Sequence, residues 1–142
     1  GGLAERGPRR PAVVDAHDDV ASEVIGYHGG RLVKSTGDGT LSTYESPSRA
    51  INCALALRER LLPLGVDLRS GIHTGEIELR GEDIGGLAVH VAARVEGHAA
   101  PGEVIVSRTV RDLVAGAGYR FVDRGSHSLK GVDGSWELCA VM

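Results

Sequence analysis

The sequence predicts an α+β sandwich, with helices laid on a mostly antiparallel sheet. Three observations carry that expectation. Stretches with apolar residues at helical spacing are interleaved with short runs of strand character. The strand runs come in pairs joined at tight-turn dipeptides, Asp38-Gly39 and Thr74-Gly75. The regular strand–helix alternation of a doubly wound parallel sheet does not occur.

Residues 1–10, Gly-Gly-Leu-Ala-Glu-Arg-Gly-Pro-Arg-Arg, have no strand pattern and are expected to be irregular. From Pro11 to His28 the residues Val13, Val14, His17, Val20, Ala21, Val24 and Ile25 recur at helical spacing, and Gly29-Gly30 stops the helix. Arg31 to Ser35 and Leu41 to Tyr44 form a hairpin around Thr36-Gly37-Asp38-Gly39-Thr40. Ser46 caps the next helix with Pro47 in its first position; Ala50, Ala54, Leu57 and Leu61 make its apolar stripe, and Pro63 and Gly65 end it. Val66 to His73 and Glu76 to Leu79 read as a second hairpin. Gly85-Gly86 precede a helix with Leu87, Val91 and Val95 on its buried side. After Pro101-Gly102 come a strand (103–106), a short helix (107–114) and two closing strands (119–122 and 136–141).

The chain has 142 residues, 42% of them apolar, which suits one domain over residues 1–142 without internal repeat or linker. No apolar run approaches the roughly 18 residues that span a bilayer, and no signal-peptide core opens the chain. The expectation is a cytoplasmic protein with no membrane partner. Cys53 and Cys139 lack disulfide-framework or metal-site spacing and read as buried thiols. A formal charge of −3, with one Phe, three Tyr and one Trp, argues against nucleic acid, since neither a basic stripe nor an aromatic stacking face is present. Of 16 cationic residues only Lys34 and Lys130 are lysine. A compact ammonium is not interchangeable with a planar guanidinium where a small acceptor must be met.

The residues with chemistry fall in a few places. Lys34 and Asp38 flank the Gly-bearing hairpin, Asp83 precedes Gly85-Gly86, and His90 and Arg94 stand four apart on one helix face. Each has an ordinary structural explanation alone: Asp38 as a turn former, Asp83 as loop polarity, His90 as a satisfied interface residue. Their order is more specific. Gly-Gly-Arg-Leu-Val-Lys-Ser-Thr-Gly-Asp-Gly (29–39), Gly-Ile-His-Thr-Gly-Glu (71–76), Asp-Ile-Gly-Gly-Leu-Ala-Val-His-Val-Ala-Ala-Arg (83–94), Pro-Gly-Glu-Val-Ile-Val-Ser (101–107) and Leu-Lys-Gly-Val (129–132) follow one another along the chain. From about residue 14 to the end, this combination resembles the class III adenylyl and guanylyl cyclase catalytic domain, in its actinobacterial adenylyl cyclase form.

The resemblance implies a ferredoxin-like βαββαβ-type sandwich and conversion of ATP to cyclic AMP and pyrophosphate at a homodimer interface. It places Asp38 as a ligand of two divalent ions, Mg²⁺ or Mn²⁺, which suit attack of a ribose 3′-oxygen on a phosphate. Lys34 and Asp83 match the pair that reads the adenine edge, Lys donating to N1 and Asp accepting from the amine; guanine reverses that pattern. Arg94 matches the arginine that stabilises charge on the α-phosphate, and Lys130 the lysine that holds the terminal phosphates. In this family the metal carboxylates come from one protomer and the remaining groups from the other, so active sites are shared across the dimer. His90 stands where an asparagine usually orients the ribose.

A second departure concerns the beginning of the chain. The strand that carries the first metal aspartate is expected to be absent, which leaves an unpaired edge along Arg31 to Ser35 or Gly71 to His73. Either the residues before Pro11 or a second chain is then expected to cover it. Weak metal affinity and little cyclic AMP would follow. The alternative function is a catalytically silent cyclase-fold module that dimerises or binds nucleotide, and a fused regulatory or output domain is the remaining partner the resemblance allows.

Overall fold

The computed structural model describes residues 2–6, 14–36 and 39–142, with side chains from residue 20 onward except at 34, 36 and 39. Asp38 and the Pro11 to Val13 start of the expected first helix lie outside the described residues. The chain runs β1 (Gly2–Arg6), α1 (Val14–Tyr27), β2 (Arg31–Thr36), β3 (Gly39–Tyr44), α2 (Pro47–Leu61), β4 (Ser70–Thr74), β5 (Glu78–Arg80), β6 (Asp83–Gly85), α3 (Leu87–Glu96), β7 (Val104–Ser107), α4 (Arg108–Leu113), β8 (Phe121–Ser128) and β9 (Ser135–Val141).

Local chemistry accounts for α2. Ser46 Oγ accepts the N–H of Arg49 at 3.3 Å, and Pro47, which has no N–H to lose, takes the first turn. Ala50, Ile51, Cys53, Ala54, Leu57 and Leu61 are buried. The helix yields to a 3-10 turn over Leu62–Leu64. The expected hairpin between β2 and β3 is present, and both cysteines are buried thiols outside any disulfide.

Among the described residues seven strands form one sheet in the order β2-β3-β1-β4-β7-β9-β8. All neighbours are antiparallel except β4 and β7. The expectation of an irregular start and a missing first strand is corrected: Gly2–Arg6 is a central strand, Leu3 lying opposite Thr43 of β3 and His73 of β4. Of the two expected covers for the Gly71 to His73 edge, the chain's own first residues fill the place. Backbone hydrogen bonds are nearly blind to side-chain type, so two facing rows of strand donors and acceptors can hold Gly-Leu-Ala-Glu-Arg in a sheet despite its weak strand propensity.

The second expected hairpin is also corrected. With β1 on one side and β7 on the other, β4 has no edge left for residues 76–79. That segment instead pairs with β6 in a separate two-stranded sheet, Leu79 opposite Ile84.

Side chains alternate across the large sheet, giving it two buried faces. Val104, Val106, Cys139 and Val141 pack with Val24, Ile25, Ile51 and Leu57 of α1 and α2. Ile105, Leu138 and Ala140 point the other way, against Val91 and Val95 of α3. Helix α3 lies close on β4: a Cβ on Gly71 would collide with the backbone of Glu96. The buried side of α3 is Ala88, Val91, Ala92 and Val95. Leu87, expected among them, is 62% exposed, because the first residue of the helix extends past the sheet that covers the rest.

Candidate functional site

Four segments converge around α3. Val33 of β2 packs with Ile84 of β6 in an apolar cluster that also holds Leu41, Ala88 and Ala92. The Arg31 guanidinium donates to the carbonyl of Glu82 at 3.3 Å. Together these contacts set the strand carrying Lys34 beside the one carrying Asp83. Lys34 is placed by its backbone on β2; Asp83 is exposed, with Oδ1 accepting the N–H of Ile84 at 2.8 Å.

One turn further on, burial of Val91 and Val95 leaves His90 and Arg94 on the free flank of α3, His90 partly and Arg94 well exposed. His90 Nε2 lies 2.9 Å from the main-chain oxygen of Lys130. A carbonyl only accepts, so Nε2 is the protonated nitrogen of His90. Leu129, 3% exposed, anchors the same turn in the α3 cluster, and the N–H of Val132 closes it onto the Leu129 carbonyl at 3.0 Å. Lys130 is thereby held outward. The following Gly131 has φ +78°, and a Cβ there would stand 2.9 Å from His90 Nε2. Only glycine combines that backbone with so close a ring.

Arg94 and Lys130 line one groove of about 260 Å³ together with Ala93, Gly97, His98, Ser128 and Leu129. The His98 ring lies against that of His127, centroids 4.5 Å apart and planes tilted by 44°. Partial burial, and then the charge of His127, hold the His98 imidazole below its ordinary value. A roomier cleft of about 600 Å³ opens between α1 and α2, lined by Val24, Tyr27 and the Glu23 and Arg60 side chains, and contains none of these residues.

The expected site residues thus fall into two groups on one chain: Lys34 with Asp83, and His90 with Arg94 and Lys130. Asp38 lies outside the described residues, and among those described no three His, Cys, Asp or Glu side chains converge as a metal site. The described residues do not by themselves fit a pair of divalent ions, and no chemical step is derived through them. Sequence reasoning missed His98 and His127, which lie in the turn after α3 and on β8 and meet only through the fold. It also assigned nothing to His73, which is 7% exposed, has Nδ1 at 2.7 Å from Ser107 Oγ, and meets the Trp136 ring edge-on.

Comparison with known proteins adds an independent observation. A family model described as "Adenylate and Guanylate cyclase catalytic domain" matches residues 23–140. A Rhizobium meliloti protein named "Putative adenylate cyclase 3" is 36% identical over 124 residues, covering 81% of this chain and 21% of the relative. An uncharacterized protein of Mycobacterium tuberculosis is 38% identical over 132 residues, 88% of this chain and 46% of its own length. The chain therefore spans from a fifth to just under half of these curated relatives. A crystal structure of an adenylate/guanylate cyclase/hydrolase from Silicibacter pomeroyi superposes with a TM-score of 0.85 at 25% identity, covering 99% of this chain and 96% of the other. No helix among the described residues is long and apolar enough to cross a membrane.

Proposed function

Because this chain belongs to the adenylate and guanylate cyclase catalytic-domain family, we propose that it acts as half of an adenylyl cyclase, converting ATP to 3′,5′-cyclic AMP and pyrophosphate between two copies of the chain. The observation that carries this reading is the His90 to Lys130 bond, which sets Arg94 and Lys130 on one groove. In the reaction the ribose 3′-oxygen attacks the α-phosphorus, the bond from that phosphorus to the bridging oxygen breaks, and pyrophosphate leaves with its electron pair; the 3′-hydroxyl proton passes to water. Arg94 offsets the charge that grows on the α-phosphate, and Lys130 holds the terminal phosphates. Lys34 and Asp83 select adenine, because guanine would leave a donor facing a donor.

Mg²⁺ or Mn²⁺ at Asp38 of the other protomer belongs to the same proposal, and would supply charge neutralisation and a more acidic 3′-hydroxyl. Weak metal affinity and a slow reaction belong to the same proposal, because Asp38 is one carboxylate and a pair of divalent ions needs more oxygen ligands than that. Exposed Leu79 and Leu87, on either side of β6, suit contact with a second copy. The incomplete span of the relatives supports a fused regulatory or output domain.

A second reading, the silent module, is favoured by one observation: the Nε2 proton of His90 is already committed to its own chain and is not free for a ribose. Incubation of the purified chain with ATP or GTP and saturating Mn²⁺, with products separated by chromatography, decides. Slow formation of cyclic AMP, with cyclic GMP at background, is the expected result. Nucleotide binding without any cyclic product selects the silent module.

A further inference from the structure

The Arg94 to Lys130 groove continues past both cations to a pair of histidines. His98 is four residues beyond Arg94, where the chain leaves α3, and it lines the groove directly. Behind it, His127 of β8 has Nε2 at 2.7 Å from the carbonyl of Arg124, so that nitrogen carries its proton and the neutral ring is fixed in one tautomer. The rings are close enough that two positive charges on them would repel. The charged neighbours from the surrounding elements are Arg94 on α3, Lys130 on the turn after β8, and Arg124 on β8, the last paired with Glu103. The carbonyls of Ala93, Val95 and Glu96 at the end of α3 are already engaged by the N–H groups of Gly97, His98 and Ala99. An anion entering the groove therefore meets guanidinium, ammonium, the Ser128 hydroxyl and an imidazole.

We propose that His98 is a third, proton-dependent cation of this groove, so that a polyphosphate, the pyrophosphate product or the tail of the nucleotide, binds there with uptake of one proton by the His98 and His127 pair. The proposal rests on the reading of Arg94 and Lys130 as phosphate ligands. In the free chain partial burial, and then the neighbouring His127 ring, hold His98 below its ordinary value; an anion placed beside it favours imidazolium. The pair takes one proton rather than two because positive charges on rings with centroids 4.5 Å apart repel. Pyrophosphate release would then be faster as pH rises, since loss of that proton removes one of its contacts.

The test is NMR titration of the histidine ring signals of the purified chain between pH 5.5 and 8.5, with and without inorganic pyrophosphate. Amide and side-chain signals of Arg94 and Lys130 report binding. The expected result is an upward shift of the His98 titration on adding pyrophosphate. His98→Asn should bind pyrophosphate within about twofold of the wild type at pH 8.5 and lose up to about tenfold in affinity relative to it at pH 6, since one linked proton changes affinity at most tenfold per pH unit. Using the variant as reference cancels the ligand's own titration. Pyrophosphate shifts at Arg94 and Lys130 with an unchanged His98 titration would overturn this proposal and leave the phosphate reading intact. No shift at Arg94 or Lys130 would overturn both.

Discussion

His90 donates from Nε2 to the main-chain oxygen of Lys130 at 2.9 Å, tying the helix of Arg94 to the turn that presents the Lys130 side chain. A partly exposed bond of this kind contributes about 1 kcal/mol to stability. Its greater effect is on position, because it is the polar link between α3 and the Lys130 turn. His90→Ala should keep the fold, lower the Tm by a few degrees and raise the KM for ATP. Gly131→Ala should do the same from the other side: φ +78° costs an L-residue about 1 kcal/mol or more, and the new Cβ presses on the ring. Thermal melts and steady-state kinetics check both; an unchanged KM in both variants would show that the bond positions nothing.

Base choice gives a second prediction. A site built to hydrogen-bond a polar edge discriminates by about 10⁴ against a ligand with reversed donors. ATP should be preferred to GTP on that scale, and Lys34→Glu should erode the preference by at least tenfold. Comparable kcat/KM for both nucleotides in the unmodified chain would remove Lys34 and Asp83 from the base site.

Arg94 is exposed and packs no core, so its loss should be felt in chemistry rather than folding. Arg94→Ala is expected to lower kcat by about 10² to 10³, as for removal of one transition-state donor, with an unaltered melting curve. An unfolded variant would make Arg94 structural.

His73 predicts a pH dependence of stability. Burial lowers its folded pKa below the ordinary 6.5. The unfolded chain therefore takes up the proton first as pH falls through 6.5, and stability declines from there toward the folded pKa, with no contribution above 6.5. One such proton gives a slope of at most about 1.4 kcal/mol per pH unit. Urea denaturation at pH 8, 7, 6 and 5 should show the wild type losing stability relative to His73→Asn below pH 6.5. Parallel curves would mean that His73 stays neutral or charged in both states.

What the sequence determined by itself is local. Ser46-Pro47 starts α2, β2 and β3 pair as the hairpin that the Asp-Gly signal predicts, the Val91 and Val95 spacing turns one side of α3 inward, and that same spacing leaves His90 and Arg94 together on the other. These follow from caps, turn preferences and periodicity, which act over a few residues. The tertiary structure decided what depends on partners distant in the chain. Gly2–Arg6 becomes a central strand because β3 and β4 offer unpaired backbone on both sides, and 78–80 turns to β6 because β4 has none left. Leu87 is exposed because an apolar stripe is buried only as far as the opposing sheet reaches. His98 and His127, 29 positions apart in sequence, meet because the fold brings the turn after α3 to β8, a placement that no local pattern encodes.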